Sequence, residues 1–305
     1  MKNVIVTGGA GFIGHHLVNK LYSIGYNILV IDNLSSGLIN NLNFNKNIYF
    51  KKIDIRDNLE DLFFEFKPEI IFHLAAIPSV PFSIQNKVLT NDVNVSGTLN
   101  LLELSLKNNV KRFIFSSSSS VYGGTRSDGP SLESDIPNPM SPYALQKLIG
   151  EQYCKLYSSY GLDTCILRYF NVFGEVQRPD SSYAAVIPSF LNHKVNNTIP
   201  IIYGDGEQMR DFCHVSNIVE ANICAAKRIA PIYGEVFNIG SGHNISINDV
   251  ARFFNFKYIK YLPARDGDIK ISLSDISKAK ALLGFNILKN FNHAINDLIY
   301  NGVVE

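Results

Sequence analysis

The chain has almost no net charge: 28 Lys and Arg against 27 Asp and Glu in 305 residues leave a formal +1. That balance removes the electrostatic case for nucleic acid or an anionic membrane as partner, since either needs a basic surface. Any anion bound here must be held by local groups. Long apolar runs are missing too, and none reaches the roughly 18 residues that span a bilayer. Cysteine is scarce: Cys154, Cys165, Cys213 and Cys224 form no Cys-x-x-Cys pair, which reads as small core residues and not as a disulfide framework. His15, His16, His73, His193, His214, His243 and His293 likewise show no paired-ligand spacing, so no metal is expected. The first strand-like run, Val4-Ile5-Val6, begins close to Met1, so no signal peptide is expected. A cytoplasmic protein is expected.

What remains is ordinary globular composition, 46% hydrophobic and 18% charged, in a chain long enough for one large α/β unit or two lobes around a cleft. Short β-branched runs predict strands at Asn3–Thr7, Asn27–Asp32, Ile48–Asp54, Ile70–Leu74, Arg112–Ser116 and Thr164–Arg168. Amphipathic segments between them predict helices at Phe12–Ile24, Leu59–Phe66, Leu89–Lys107 and Pro142–Tyr160. Such alternation implies parallel strands joined by right-handed crossovers, with helices on both faces. Gly123–Pro142 reads as a loop. After Asn171 the rhythm loosens into short strands (Ile201–Tyr203, Val236–Ile239, Tyr258–Leu262) and helices (Ala184–His193, Val215–Lys227, Ile247–Phe254, Asp275–Leu283), as in a smaller α+β lobe.

Thr7-Gly8-Gly9-Ala10-Gly11-Phe12-Ile13-Gly14 falls where the first strand turns into the first helix. Glycines there allow a tight turn, close approach of a pyrophosphate to the backbone, and close helix–strand packing. The helix N-terminus then offers free N–H groups and partial positive charge to the phosphates. A glycine-rich turn alone also has a purely structural reading. Here Asp32 ends the second strand about 20 residues on, where an acid can accept from a ribose diol. Asp32 would repel a 2′-phosphate, and Asn33-Leu34-Ser35-Ser36 includes no arginine to offset it, so NAD is expected over NADP. Asp54-Ile55 could reach adenine. Leu74-Ala75-Ala76 reads equally as a cofactor wall or as packing. The fold class expected is α/β: a doubly wound parallel (Rossmann) sheet over residues 1–170, with 171–305 mainly a smaller substrate-binding lobe from which segments can return to the first domain.

Tyr143-Ala144-Leu145-Gln146-Lys147 puts a phenol and an ammonium four residues apart on one helix face. Ser141-Pro142 supplies an N-cap and first-turn proline, so Tyr143 sits near the helix N-terminus. A neighbouring lysine and that terminus both favour the phenolate, and a lowered pKa is expected, making Tyr143 a proton acceptor. With 15 tyrosines in the chain about one Tyr-x-x-x-Lys arises by chance; the conjunction with the serine run Ser116–Ser120 after the fifth strand lifts it above that level.

With these residues in hand, the chain resembles the extended short-chain dehydrogenase/reductase family, and within it the UDP-hexose 4-epimerases. The resemblance runs through Thr7–Gly14, Asp32-Asn33, Asp54-Ile55, His73-Leu74-Ala75-Ala76, Asn94, Ser116–Gly123, Tyr143 with Lys147, Arg168-Tyr169-Phe170-Asn171, Gly204-Asp205-Gly206, Arg210-Asp211-Phe212 and Arg265-Asp266-Gly267-Asp268. It implies Ser118, Tyr143 and Lys147 as the catalytic group. Gly8, Gly11, Phe12, Ile13, Gly14, Asp32, Asn33, Ser36, Gly37, Asp54, Ile55, Leu74, Ala75, Ala76, Asn94, Ser116 and Phe170, with Tyr143 and Lys147, are implied around NAD. On the substrate side it implies Ser118, Ser120 and Tyr143 at the sugar, Asn171 on the diphosphate or sugar, and Ser79, Ala185 and Val186 among the substrate-binding residues. Arg210 and Arg265 would clamp phosphates, Asp268 the ribose, and Tyr203 would pack near uracil; bidentate arginines suit phosphate geometry. A surface ion pair with Asp211 or Asp266 is the other reading of those arginines. A homodimer through the two long helices is implied as well.

The activity implied is inversion at C4 of a UDP-hexose through transient oxidation by NAD. Ser272 falls where related 4-epimerases limit the space around the C2 substituent. A serine leaves room for an N-acetyl group, and the run from Phe173 to Pro188 resembles the branch acting on UDP-N-acetylhexosamines. Interconversion of UDP-GlcNAc and UDP-GalNAc is therefore expected, with UDP-Glc and UDP-Gal as the smaller pair. Three rivals stay open: a nucleotide-sugar 4,6-dehydratase, although Ser118-Ser119-Ser120 stands where such an enzyme resembles Thr-Asp-Glu; a decarboxylase or uronate epimerase; and a non-catalytic NAD-dependent sensor.

Overall fold

A computed structural model describes residues 2–125, 129–178, 185–264 and 269–304. The first half runs β1 (Asn3–Thr7), α1 (Phe12–Ser23), β2 (Asn27–Asp32), β3 (Ile48–Lys52), α2 (Glu60–Phe66), β4 (Ile70–His73), α3 (Val80–Gln85), α4 (Lys87–Asn91), α5 (Gly97–Lys107), β5 (Arg112–Ser118), α6 (Pro142–Ser159) and β6 (Thr164–Tyr169). The second runs β7 (Val172–Phe173), α7 (Val186–Val195), β8 (Ile201–Tyr203), β9 (Met209–Arg210), β10 (Cys213–His214), α8 (Val215–Lys227), β11 (Glu235–Ile239), β12 (Ile245–Ser246), α9 (Ile247–Phe254), β13 (Lys260–Leu262), α10 (Ser277–Leu283) and α11 (Phe291–Val304).

Seven parallel strands form the central sheet in the order β11-β6-β5-β4-β1-β2-β3. Alternate residues feed opposite cores because the side-chain period of a strand is two. Val4, Val6, Ile28, Val30, Ile70, Phe72 and Leu167 face α1, α8 and α10. Ile5, Leu29, Ile31, Ile71, Phe113 and Ile166 face α2, α5 and α6. The strand order reverses between β1 and β4, which opens a crevice beyond their C-terminal ends. A third core, around Phe173, Phe190, Phe254 and Ile295, unites α7, α9 and α11. Glu235–Ile239 returns from the second half of the chain to pair with β6.

The long helix expected at Leu89–Lys107 divides into α4, a π-helical turn at Asp92–Ser96, and α5. The extra residue of a π-turn shifts the side-chain face, and Asn94 inside it is buried with its amide committed to other elements. Helices α3 and α11 have no counterpart in the sequence reading. Strand β3 ends at Lys52, short of Asp54, because the Asp54 N–H turns to the Asp57 carboxylate (3.0 Å).

Helix α6 is locked to β6 by an ion pair out of water. The Arg168 guanidinium donates to Glu151 through Nε (2.8 Å) and Nη2 (2.6 Å), and Ser117 Oγ donates to the same carboxylate at 2.5 Å. Arg168 also lies over the Tyr122 ring at 4.7 Å. Removing one partner strands the other's charge in a low-dielectric interior. Glu151→Gln is therefore expected to lower unfolding free energy by about 3–5 kcal/mol in urea titration. Breaking the exposed Lys107–Glu60 pair with Lys107→Ala is expected to cost less than about 1 kcal/mol. Equal stability of the two variants would contradict this account of the core.

Candidate active site

The glycine turn closes tightly under the crevice. Gly8 adopts φ +69°, and a Cβ there would stand 2.7 Å from Ala75 N; one at Gly14 would stand 2.1 Å from Gly8 O. Only glycine fits both places, and the turn leaves a backbone cradle at the start of α1. Asp32 is fixed at its rim, its carboxylate accepting from Ala10 N (3.0 Å) and Leu34 N (2.8 Å). A cleft of about 370 Å³ runs from this turn and is lined by Gly8, Phe12, Ile13, Gly14, Asp32, Asn33 and Ser36. Asp54, Ile55, Leu74, Ala75, Ala76, Ser116, Tyr143 and Lys147 complete most of its wall. Small-residue floor, buried acid and helix N-terminus together fit a dinucleotide.

Four residues expected around the cofactor do not line this cleft. Gly11 caps α1, and Gly37 packs against Ala10, where a Cβ would come within 2.9 Å of its carbonyl carbon. Asn94 lies behind the wall and Phe170 lines the adjoining cavity. Sequence reasoning missed Arg56, which lines the cleft although it is distant from Asp32 in the chain. Its guanidinium is committed to Asp54 (Nε–Oδ1 2.9 Å, Nη2–Oδ2 3.0 Å) and Asp92 (2.5 Å). That guanidinium holds the Asp54 carboxyl down at about 2.

A second cavity of about 770 Å³ opens beside the first, and Tyr143 lines both, with Phe12, Ile13, Pro78, Ser117 and Tyr169. Ser79, Ser118, Ser120, Asn171, Ala185, Val186, Tyr203, Arg210 and Ser272 all line it. Arg265 and Asp268 lie outside the described residues. Asn171 Nδ2 donates to Asp211 O (3.2 Å) and Ser272 Oγ (3.4 Å). The buried Asp211 carboxylate accepts from Ser241 N (2.7 Å) and Oγ (2.6 Å) and from Ser274 N (3.0 Å) and Oγ (2.5 Å). It pins the Ser272 segment and is not given over to a surface pair with Arg210.

Two buried polar atoms on this cavity have no hydrogen-bond partner among the described residues: Ser120 Oγ and Gln177 Oε1. Buried polar groups are otherwise almost always paired, so both mark places for a ligand's polar groups. Gln177 is oriented by its own Nε2, which donates to Val172 O at 3.2 Å. It was not among the expected site residues; its only sequence signal was membership of the run from Phe173 to Pro188.

Ser141 caps α6, accepting from Ala144 N at 3.2 Å, and Pro142 opens the helix. Lys147 Nζ donates to Ser116 O at 2.8 Å and lies 6.0 Å from the centre of the Tyr143 ring. The expected lowering of the phenol is corrected here. Burial raises Tyr143 to about 12, with the Ser118 hydroxyl beside it pulling down less strongly. Burial also lowers Lys147, to about 8, with Glu151 opposing. Desolvation outweighs a lysine whose ammonium is turned toward a carbonyl.

A parallel sheet reversing at a glycine turn, with a Tyr–Lys helix beside it, defines a dinucleotide-dependent enzyme fold. The chain belongs to the NAD dependent epimerase/dehydratase family, whose profile matches residues 4–240. Its relatives include a putative UDP-glucose 4-epimerase of Methanocaldococcus jannaschii, 39% identical over 291 residues and 92% of each chain. Among solved structures it resembles UDP-glucose 4-epimerase of Thermotoga maritima with UDP-glucose (TM-score 0.93, 37% identity, 99% and 100% of the two chains). It also resembles UDP-N-acetylglucosamine 4-epimerase of Methanobrevibacter ruminantium in complex with UDP-N-acetylmuramic acid (TM-score 0.91, 41% identity, 98% and 97%). NAD is the cofactor of this family.

Proposed function

We propose that this chain inverts C4 of a UDP-hexose through a transient 4-keto sugar, and that UDP-GlcNAc and UDP-GalNAc are its preferred pair. The observation that carries the reading is Tyr143, which borders the cleft running from the glycine turn on one side and the larger cavity on the other. Bound in the smaller cleft, NAD supplies reversible hydride acceptance and, when oxidised, a positive charge. Tyr143 Oη, as the phenolate, takes the proton of the C4 hydroxyl and later returns it to the C4 oxygen, once the 4-keto sugar has turned its opposite face to the cleft. Ser118 shares that proton through its hydroxyl. Lys147, a buried ammonium on the cleft wall, stabilises the phenolate through space and holds Ser116 in place.

Inversion needs the nucleotide gripped and the sugar free to turn, which binding energy remote from C4 provides. Arg210 and Tyr203 at the cavity wall serve the nucleotide, and Arg265 and Asp268 are assigned there by resemblance. Ser120 Oγ and Gln177 Oε1 offer polar contacts to the sugar without enclosing it. Ser272 is a small residue at the cavity wall, pinned through Ser272 N to Met209 O (3.0 Å). It leaves space for a C2 N-acetyl group.

UDP-GlcNAc incubated with purified protein without added NAD is expected to give the anomeric proton signal of the axial C4 epimer in NMR spectra. Tyr143→Phe is expected to lower the rate at least about 100-fold. Ser272→Tyr is expected to lower turnover of the acetylated pair at least about tenfold while sparing UDP-Glc. Loss of water or carbon dioxide from the sugar, or no turnover at all, would overturn the assignment.

The homodimer belongs to the same proposal. Exposed apolar side chains stand on α6 (Leu145, Leu156, with Tyr160 just beyond) and on the neighbouring α4 (Val88, Leu89). Exposed apolar side chains on two packed helices suit an isologous helix-pair interface. Sedimentation is expected to give two chains per particle, and Leu156→Glu to give monomers; a monomeric wild type would refute the dimer.

A further inference from the structure

Behind the cofactor cleft lies a chain of buried polar groups that nothing above uses. His73, at the end of β4, is enclosed between Phe113 and Phe115, each ring centre 5.8 Å away. Its Nδ1 meets Thr7 Oγ at 2.8 Å and its Nε2 meets Thr98 Oγ at 2.9 Å. Counting hydrogens assigns the direction of every link. The single Thr98 hydroxyl proton goes to Asn94 O (2.7 Å), since a carbonyl can only accept. Thr98 Oγ must then accept from His73, which places the imidazole proton on Nε2. At the other end Ala75 N donates to Thr7 Oγ (3.3 Å), so the Thr7 proton points to the bare Nδ1. Burial keeps His73 neutral, down at about 3, with Lys147 adding to the effect.

The chain continues past the carbonyl. Asn94 sits in the π-helical turn, where its Oδ1 accepts from Ile77 N (2.8 Å) and its Nδ2 donates to Ile77 O (3.1 Å) and Gln146 Oε1 (2.9 Å). Gln146 lies on α6 between Tyr143 and Lys147. The loop after β4 is thereby held at both ends, at Ala75 through Thr7 and at Ile77 through Asn94. Leu74, Ala75, Ala76 and Ile77 are a wall of the smaller cleft.

We propose that His73, as the Nε2–H tautomer, is the positioning residue of the cofactor cleft: it ties the end of β1 to the π-helical turn and so fixes the Leu74–Ile77 wall against which NAD binds. This rests on the reading that NAD occupies the smaller cleft. Apolar replacement of the imidazole leaves the Thr7 hydroxyl proton without an acceptor, takes from Thr98 Oγ the proton it accepts, and loosens the wall, so cofactor retention suffers before substrate recognition does. Thr98→Val cuts the same chain while keeping His73 and the side-chain shape.

The test is the NAD content of the full-length wild type, His73→Leu and Thr98→Val after prolonged dialysis, beside turnover with and without added NAD. Both variants are expected to retain NAD about tenfold less well, Thr98→Val the milder of the two. Their turnover is expected to rise on adding NAD, with the UDP-sugar KM within about twofold of wild type. Folded His73→Leu holding NAD like the wild type would overturn the proposal. If that variant fails to fold, wild-type retention by Thr98→Val overturns it instead. A wild type that shows no NAD after purification and none bound in titration would instead refute the cleft assignment itself.

Discussion

Desolvation of one phenol governs this site. Tyr143 is buried where two cavities meet, and removal from water favours its neutral form. A rise from 10 to about 12 disfavours the phenolate by roughly 3 kcal/mol, at about 1.4 kcal/mol per unit. Lys147 suffers the opposite effect from the same burial. In the protein alone the pair is therefore a neutral phenol beside a partly weakened ammonium. A positive charge in the adjacent cleft acts at low dielectric, where its field is strong. The nicotinamide ring of the family's cofactor carries such a charge when oxidised, so under the proposed function it would favour the phenolate when a hydride acceptor is at hand.

The remainder of the fold keeps this phenol still. Glu151 and Arg168 lock α6 to β6 one turn beyond Lys147. Ser83 Oγ accepts from Tyr143 N at 3.1 Å, and Asn94 engages Gln146 between the two reactive groups. The cavity on the sugar side carries the opposite design, with unpaired polar atoms at Ser120 and Gln177 and a small residue at Ser272. Under the proposed function, rigid groups would act on a loosely held sugar ring, as inversion through a trigonal C4 requires.

Much of this was legible in the chain. The six strands expected in the first half all form, five of them buried on both faces and the edge strand β3 anchored mainly by Ile48, and the glycine turn and Asp32 sit where the fingerprint puts them. The π-helical turn was not legible, because the hydrophobic period hardly changes across Leu89–Lys107 while one inserted residue redirects Asn94. Arg56 and Gln177 reach their cavities by tertiary folding, and neither position carries a motif of its own. The sign of the Tyr143 shift was misjudged for a physical reason. Helical spacing puts Lys147 on the same face, but only the fold reveals that its ammonium turns to Ser116 O and that both groups are enclosed.

The most direct test is an ultraviolet difference titration of the phenolate, wild type minus Tyr143→Phe, on protein with and without oxidised NAD. The account predicts that the Tyr143 signal ionises several pH units lower with the cofactor bound, and only far into alkali without it. An ionisation at the same pH in both states would contradict it.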